Sequence, residues 1–158
     1  MKRIKKTLLV ILAIILIVFI TIQFIQPARN ISGQVLQTDM SNIYNIPQNV
    51  SALFKNDCYD CHSNNTNYPW YSKIQPVGWL LEADIKNGKA KLNFSEFGSL
   101  SSRRKISKLR NIESRIKDGT MPLQAYQLMH PSAQLTKEEK QLLIDWIQNT
   151  RDSIALKR

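Results

Sequence analysis

Both cysteines of this 158-residue chain fall in one five-residue run, Cys58-Tyr59-Asp60-Cys61-His62. Two cysteines placed at random lie three apart about once in 80, and a histidine directly behind them makes coincidence rarer still. The C-x-x-C-H spacing has its own chemistry. Two thiols about one helical turn apart can add to the two vinyl groups of a haem as thioethers, and the adjacent imidazole then reaches the iron from the proximal side. Three other readings use the same residues. A C-x-x-C redox pair calls for a thioredoxin-like βαβ setting, which the surrounding sequence lacks. A structural zinc site needs four ligands, and only His130 could join the three here. A plain disulfide leaves His62 without a role. Covalent haem c, one per chain, uses Cys58, Cys61 and His62 together.

Iron held in this way takes a second axial ligand or keeps an open site. The candidates are Met40, Met121, Met129 and His130. Met121 stands in Asp118-Gly119-Thr120-Met121-Pro122, where Gly119 lets the chain turn and Pro122 stiffens the backbone behind the thioether. That placement resembles the Met-Pro ligand loop of small monohaem c-type cytochromes, which implies Met121 as the distal ligand. A methionine more commonly fills gaps in a core, and Met129 is read that way. His130, followed by Pro131, is the alternative distal ligand, and bis-His coordination would lower the potential relative to Met/His.

The elements that must position these residues begin with an anchor. After Lys2, Arg3, Lys5 and Lys6, the 19 positions from Thr7 to Ile25 carry no charge. As a helix they span ~28 Å, close to a ~30 Å hydrocarbon core. Cations in front and none inside place the N-terminus in the cytoplasm and the remainder outside the inner membrane. The apolar run is longer than a signal-peptide core and no A-x-A pattern follows, so an uncleaved single-pass anchor is expected. The flank holds four of the 22 Lys and Arg residues; the formal charge of +10 falls to +6 without it. An exported domain does not meet chromosomal DNA, so this balance points to acidic redox partners or anionic lipid and not to nucleic acid.

Three segments are expected: a flank and anchor over 1–26, a linker over 27–48 with a short strand near Val35-Leu36, and a haem domain over 49–158. The domain reads as mostly α. One helix runs from Asn49 into the motif. A second follows Pro76 and ends at Asn87, with Gly88 just past it and Trp79, Leu80, Ala83 and Ile85 inward. A third covers Ser101 to Asp118, with Ile106, Leu109, Ile112 and Ile116 on one face and Gly119 ending it. The last opens on the capping box Thr136-Lys137-Glu138-Glu139 and runs towards Thr150. So few aliphatic faces make a thin core, which a large apolar cofactor would complete.

A wider resemblance rests on Tyr68-Pro69-Trp70-Tyr71-Ser72, Gln75-Pro76-Val77-Gly78-Trp79, Leu92-Asn93-Phe94-Ser95-Glu96-Phe97 and Gly119-Thr120-Met121-Pro122-Leu123, with Tyr126, His130-Pro131 and Leu135-Thr136. From Leu53 to Ile147 the chain resembles a bacterial haem-binding-domain family of anchored c-type cytochromes, with Phe97 where Trp is the usual residue. The resemblance implies a cytochrome c-like helical domain around covalent haem, preceded by one transmembrane helix. Pro69, Trp70, Tyr71 and Trp79 are then expected to enclose the porphyrin. A backbone carbonyl at Pro76 is the expected partner for the second ring nitrogen of His62. Phe94 and Trp146 read as ordinary core.

The function expected is single-electron transfer outside the cytoplasmic membrane by a carrier that is not an enzyme, since no acid/base pair, Ser/His/Asp set or phosphate-binding glycine loop is present. The alternatives are a haem-based sensor or peroxidase-like enzyme with an open distal site, and a haem subunit of a larger oxidoreductase complex.

Overall fold

The computed structural model describes residues 2–157. Met1 and Arg158, the outer ends of the first and last expected segments, lie outside the described residues, as does the side chain of Lys2. Helix α1 (Lys2–Ile22) is one continuous apolar rod, exposed along nearly its whole length. Its 20 residues from Arg3 to Ile22 include an 18-residue stretch of mean hydropathy 2.6 and are long and apolar enough to cross a membrane. The hydroxyls of Thr7 and Thr21 donate to carbonyls four residues back, at 3.1 and 2.8 Å, so these polar groups are satisfied inside the helix.

The remainder is built from short helices: α2 (Met40–Ile43), α3 (Gln48–Asp57), α4 (Tyr59–His62), α5 (Val77–Lys91), α6 (Ser102–Lys117), α7 (Gln124–Met129) and α8 (Lys137–Leu156). Tight 3₁₀ turns at Trp70–Lys73, Phe94–Ser99 and Pro131–Ala133 join them. Among the described residues there is no strand; a single bridge pairs Ile31 with Asn65, and Val35, where a strand was expected, is exposed.

Local sequence explains the ends of the long helices. The Thr136 hydroxyl caps the Glu139 N–H at 3.1 Å while the Glu139 carboxylate takes the Thr136 N–H at 2.8 Å, the expected reciprocal box. α8 runs past Thr150 because Ile154 still finds the core. α6 stops where Gly119 takes a φ of +66°, and the Arg115 carbonyl accepts from both Thr120 and Met121. α5 departs from expectation by continuing through Gly88 to Lys91. Its buried positions are Gly78 and Ile85, whereas Leu80 and Ala83 are exposed.

α6 packs on α8, and α3 crosses α8. Between them lies an aromatic core: Phe54 meets Trp146 at 5.4 Å and Phe94 at 5.6 Å, both edge-on, with Leu109, Leu143 and Ile147 wholly buried around them. Met40, a candidate ligand by residue type, is fully buried in this core. Met129, read as core, is half exposed. One charged group also enters. Glu113 sits on the buried face of α6 and is held by Lys117 (2.6 Å), Gln148 (2.6 Å) and Arg151 (2.9 Å), which keeps its carboxyl below the usual glutamate range.

Residues 27–48, expected as a spacer, lie along the domain. Asn30 donates to the Ser63 carbonyl and the Thr66 hydroxyl and accepts from Lys89, so it ties the loop after the motif to α5. Asp39 accepts from the Tyr59 hydroxyl at 2.8 Å. The segment is therefore part of what holds the motif in place.

Asp57 is the opposite of Glu113. It ends α3, is buried, and neither carboxylate oxygen has a hydrogen-bond partner. Burial first, and Glu139 second, raise its pKa from 3.8 to about 6. The folded state therefore resists the charge, and stability falls as pH rises from about 4 through about 6. Asp57→Asn is expected to stabilise the protein by about 1–3 kcal/mol at pH 7, with the gain vanishing near pH 4. Thermal or urea unfolding at the two pH values checks this; an equal effect at both would show that the carboxylate is not strained.

Candidate haem site

The chain breaks its helix at Cys58, whose φ of −129° separates α3 from α4, and then turns so that the Cys58 carbonyl accepts from Cys61 (3.2 Å) and His62 (3.0 Å). Both cysteines are free thiols and half-buried. Burial, with Asp57 beside one and Asp60 beside the other, pushes both thiols up, Cys61 to about 12. They are held neutral and are not activated as thiolates.

His62 is fixed by the end of α5. Its Nδ1 lies 3.1 Å from the Gly88 carbonyl and 3.0 Å from the Leu92 carbonyl. Two carbonyls can only accept, so Nδ1 carries the proton and Nε2 keeps its lone pair free, the arrangement a metal-binding imidazole needs. Burial is the main effect on this ring and lowers its pKa, which keeps it neutral. The expected acceptor at Pro76 is thus corrected: the Pro76 carbonyl accepts from Trp79 and Leu80 instead. Gly88 explains why α5 can come so near. A Cβ at this position would stand 2.7 Å from the Cys61 carbonyl oxygen.

A second group of side chains reaches the motif from α7. The Tyr126 hydroxyl donates to Asp60 Oδ2 at 2.9 Å, and the His130 ring stacks on Tyr126 at 4.0 Å with its Nδ1 3.1 Å from the Tyr126 carbonyl. Tyr71, buried, stands 5.8 Å from His130. Asp60 also accepts from the backbone of Asn67, so one carboxylate holds both the loop behind the motif and α7.

The expected enclosing residues divide. Tyr71 joins this group, with half-buried Pro69 at the start of its turn. Trp70 is 74% exposed beside it. Trp79 is directed elsewhere, its indole N–H donating to the Ile25 carbonyl at the end of α1. Met121 is half-buried in the turn between α6 and α7, its N–H on the Arg115 carbonyl. Asp60, Tyr126 as its partner, and the two α5 carbonyls were not foreseen. Asp60 occupies a free position of the motif and carbonyls leave no trace in sequence, so only the Tyr126 match hinted at them.

The residues fit a haem on three observations. One imidazole offers a free Nε2, two thiols flank it, and Trp70, Leu128 and Met129 lie exposed on the segments that carry Tyr71 and His130, an apolar rim left uncovered by protein. Among the described residues no three His, Cys, Asp or Glu side chains converge as a metal-ion site. The model of the haem-binding domain matches residues 17–149. The chain belongs to that family. No match was found among curated proteins or among solved structures. The match of the haem-binding domain starts inside α1 and takes in residues 27–48, in agreement with their packing on the rest of the domain.

Proposed function

We propose that this haem-binding domain is a membrane-anchored monohaem c-type cytochrome that carries single electrons outside the cytoplasmic membrane. The observation that supports it most is His62, whose Nδ1 is taken by two carbonyls one residue after a pair of free thiols. Cys58 and Cys61 would hold the haem as thioethers, each S–H adding across one vinyl group. His62 Nε2 would be the proximal ligand and Met121 the distal one. The bound haem supplies a reversible one-electron couple. The chain's own residues orient the imidazole through Gly88 and Leu92, exclude water with Tyr71 and Tyr126, and keep α7 against the motif through Asp60. α1 would hold the protein in the inner membrane with its N-terminus cytoplasmic, and the residual positive charge would favour acidic redox partners.

A pyridine haemochrome spectrum identifies the attached haem, and the absorption spectrum of the untreated protein together with a redox titration tests the reading. Low-spin, six-coordinate iron with one reversible couple is expected. High-spin iron that binds carbon monoxide in the unmutated protein would instead favour an open-site sensor or peroxidase-like enzyme.

A second distal ligand, His130, is favoured by one observation: its stacking partner Tyr126 is bonded to the motif itself. The two readings separate cleanly. Met121→Ala is expected to open the iron to carbon monoxide, and His130→Ala to leave it closed. Met121→His should lower the potential. The reverse pattern in the alanine pair would assign the ligand to His130.

A further inference from the structure

The chain that leaves α1 does not lead away from the domain; residues 23–29 are stitched to it. Gln23 Oε1 accepts from the Gln75 N–H at 2.9 Å and Gln23 Nε2 donates to the Gln75 carbonyl at 3.1 Å. Gln26 donates to the Lys73 carbonyl and accepts from the Gln75 side chain, both at 3.1 Å. Trp79 donates to Ile25, and Arg29 donates to the Ser72 hydroxyl at 2.8 Å. Gln75, at the centre of this set, is wholly buried.

These bonds hold Lys73 to Trp79 within about one turn of the last apolar residue of α1. The large apolar side chains exposed along this margin are Phe24 (84%), Ile25 (59%), Ile74 (38%), Val77 (41%) and Leu80 (65%). Val77 and Leu80 share a face of α5, and the next residue on that face is Asp84, followed by Asn87 and Lys91, all three exposed. The apolar character therefore stops one to two turns from the anchor. Exposed Lys73 stands among these residues, a cation of the kind that reaches lipid headgroups from an apolar surface.

We infer that Phe24, Ile25, Ile74, Val77 and Leu80 form a membrane-contacting face that seats the haem domain on the leaflet where α1 emerges. The occupant of the patch is the headgroup–acyl boundary, because the anchor fixes the patch at that depth. The inference rests on the reading of α1 as a membrane anchor.

The test uses the full-length, haem-loaded protein in phosphatidylcholine–phosphatidylglycerol vesicles, with a diazirine amino acid placed singly at position 12, 80 or 90. Position 12 is inside the anchor, 80 on the proposed face, and 90 exposed at the far end of α5. Lipid adducts counted by mass spectrometry after irradiation are expected at 12 and 80, with about tenfold fewer at 90. Adducts at 12 without adducts at 80 overturn the inference and leave the anchor standing. Absence at 12 removes the anchor reading itself. A chain-to-chain cross-link at 80 would assign the face to a second copy and equally overturn it. In the supporting case, a further probe placed at position 74 should also take up lipid, and Val77→Asp with Leu80→Asp should remove that adduct while the one at 12 persists.

Discussion

Replacing both Cys58 and Cys61 by Ser is expected to leave the chain with no haem that survives denaturation. Each thiol would supply one covalent link, so the single variants should retain one thioether and the double variant none. The fold should tolerate the change. Both thiols are half-buried at the margin of the core, whose weight is carried by Phe54, Phe94, Leu109 and Trp146, and a Ser hydroxyl occupies less volume than the thiol it replaces. What remains is a single imidazole, His62, with Trp70, Leu128 and Met129 as an apolar rim. Haem held by those residues alone leaves on denaturation or solvent extraction. Wild-type protein from a host that attaches c-type haem is expected to run on a denaturing gel with haem still bound. Haem that extracts freely from wild type would refute covalent attachment while leaving haem binding intact.

The second large effect belongs to Gly88→Ala. In an exposed helix interior this change stabilises, by about 1 kcal/mol. Here the new methyl would stand 2.7 Å from the Cys61 carbonyl oxygen and 3.4 Å from the Cys61 Cβ, and backbone cannot swing aside as a side chain can. α4 and α5 must part, at a cost of roughly 1–3 kcal/mol for overpacking, which outweighs the helical gain. The same separation lengthens the bonds from His62 Nδ1 to Gly88 and Leu92. Their weakening makes the imidazole a poorer donor to the iron, so the potential should rise along with the fall in stability. Gly33→Ala serves as the comparison. Its φ of +69°, close to the +66° of Gly119, makes a side chain costly by about 1 kcal/mol, yet nothing lies within 4 Å of the added methyl, and it stands outside both ligand segments. It should lower the melting temperature and leave the potential unchanged. Equal shifts of potential in both variants would mean that Gly88 acts only through stability.

The contrast between Gly88 and Gly119 shows where sequence stops informing. Gly119 follows a periodic helix and ends it, as its position suggests. Gly88 also follows an apparent helix, but its role is close approach to Cys61, a contact between residues 27 positions apart that no local pattern records. The same holds elsewhere. The capping box of α8, the apolar stripe of α6 and the C-x-x-C-H run were legible because each depends on neighbours within one or two turns. Glu113 on the buried side of α6 was not, since its partners Gln148 and Arg151 come from α8. Residues 27–48 lack any period, and so read as linker, because Asn30 and Asp39 hold them through scattered polar contacts and not through a repeating apolar face.

α5 is fastened at both ends. Near its start, Gln75 and Trp79 grip the last turn of the anchor; near its finish, Gly88 and Leu92 grip His62. From Trp79 to Gly88 the helix rises ~14 Å. In the proposed reading it is a strut of fixed length between the bilayer exit and the His62 imidazole, so the haem would keep one height above the lipid. A redox centre so mounted meets its partners by lateral diffusion in a plane, and lengthening or shortening this one helix by a turn would raise or lower that plane by ~5 Å.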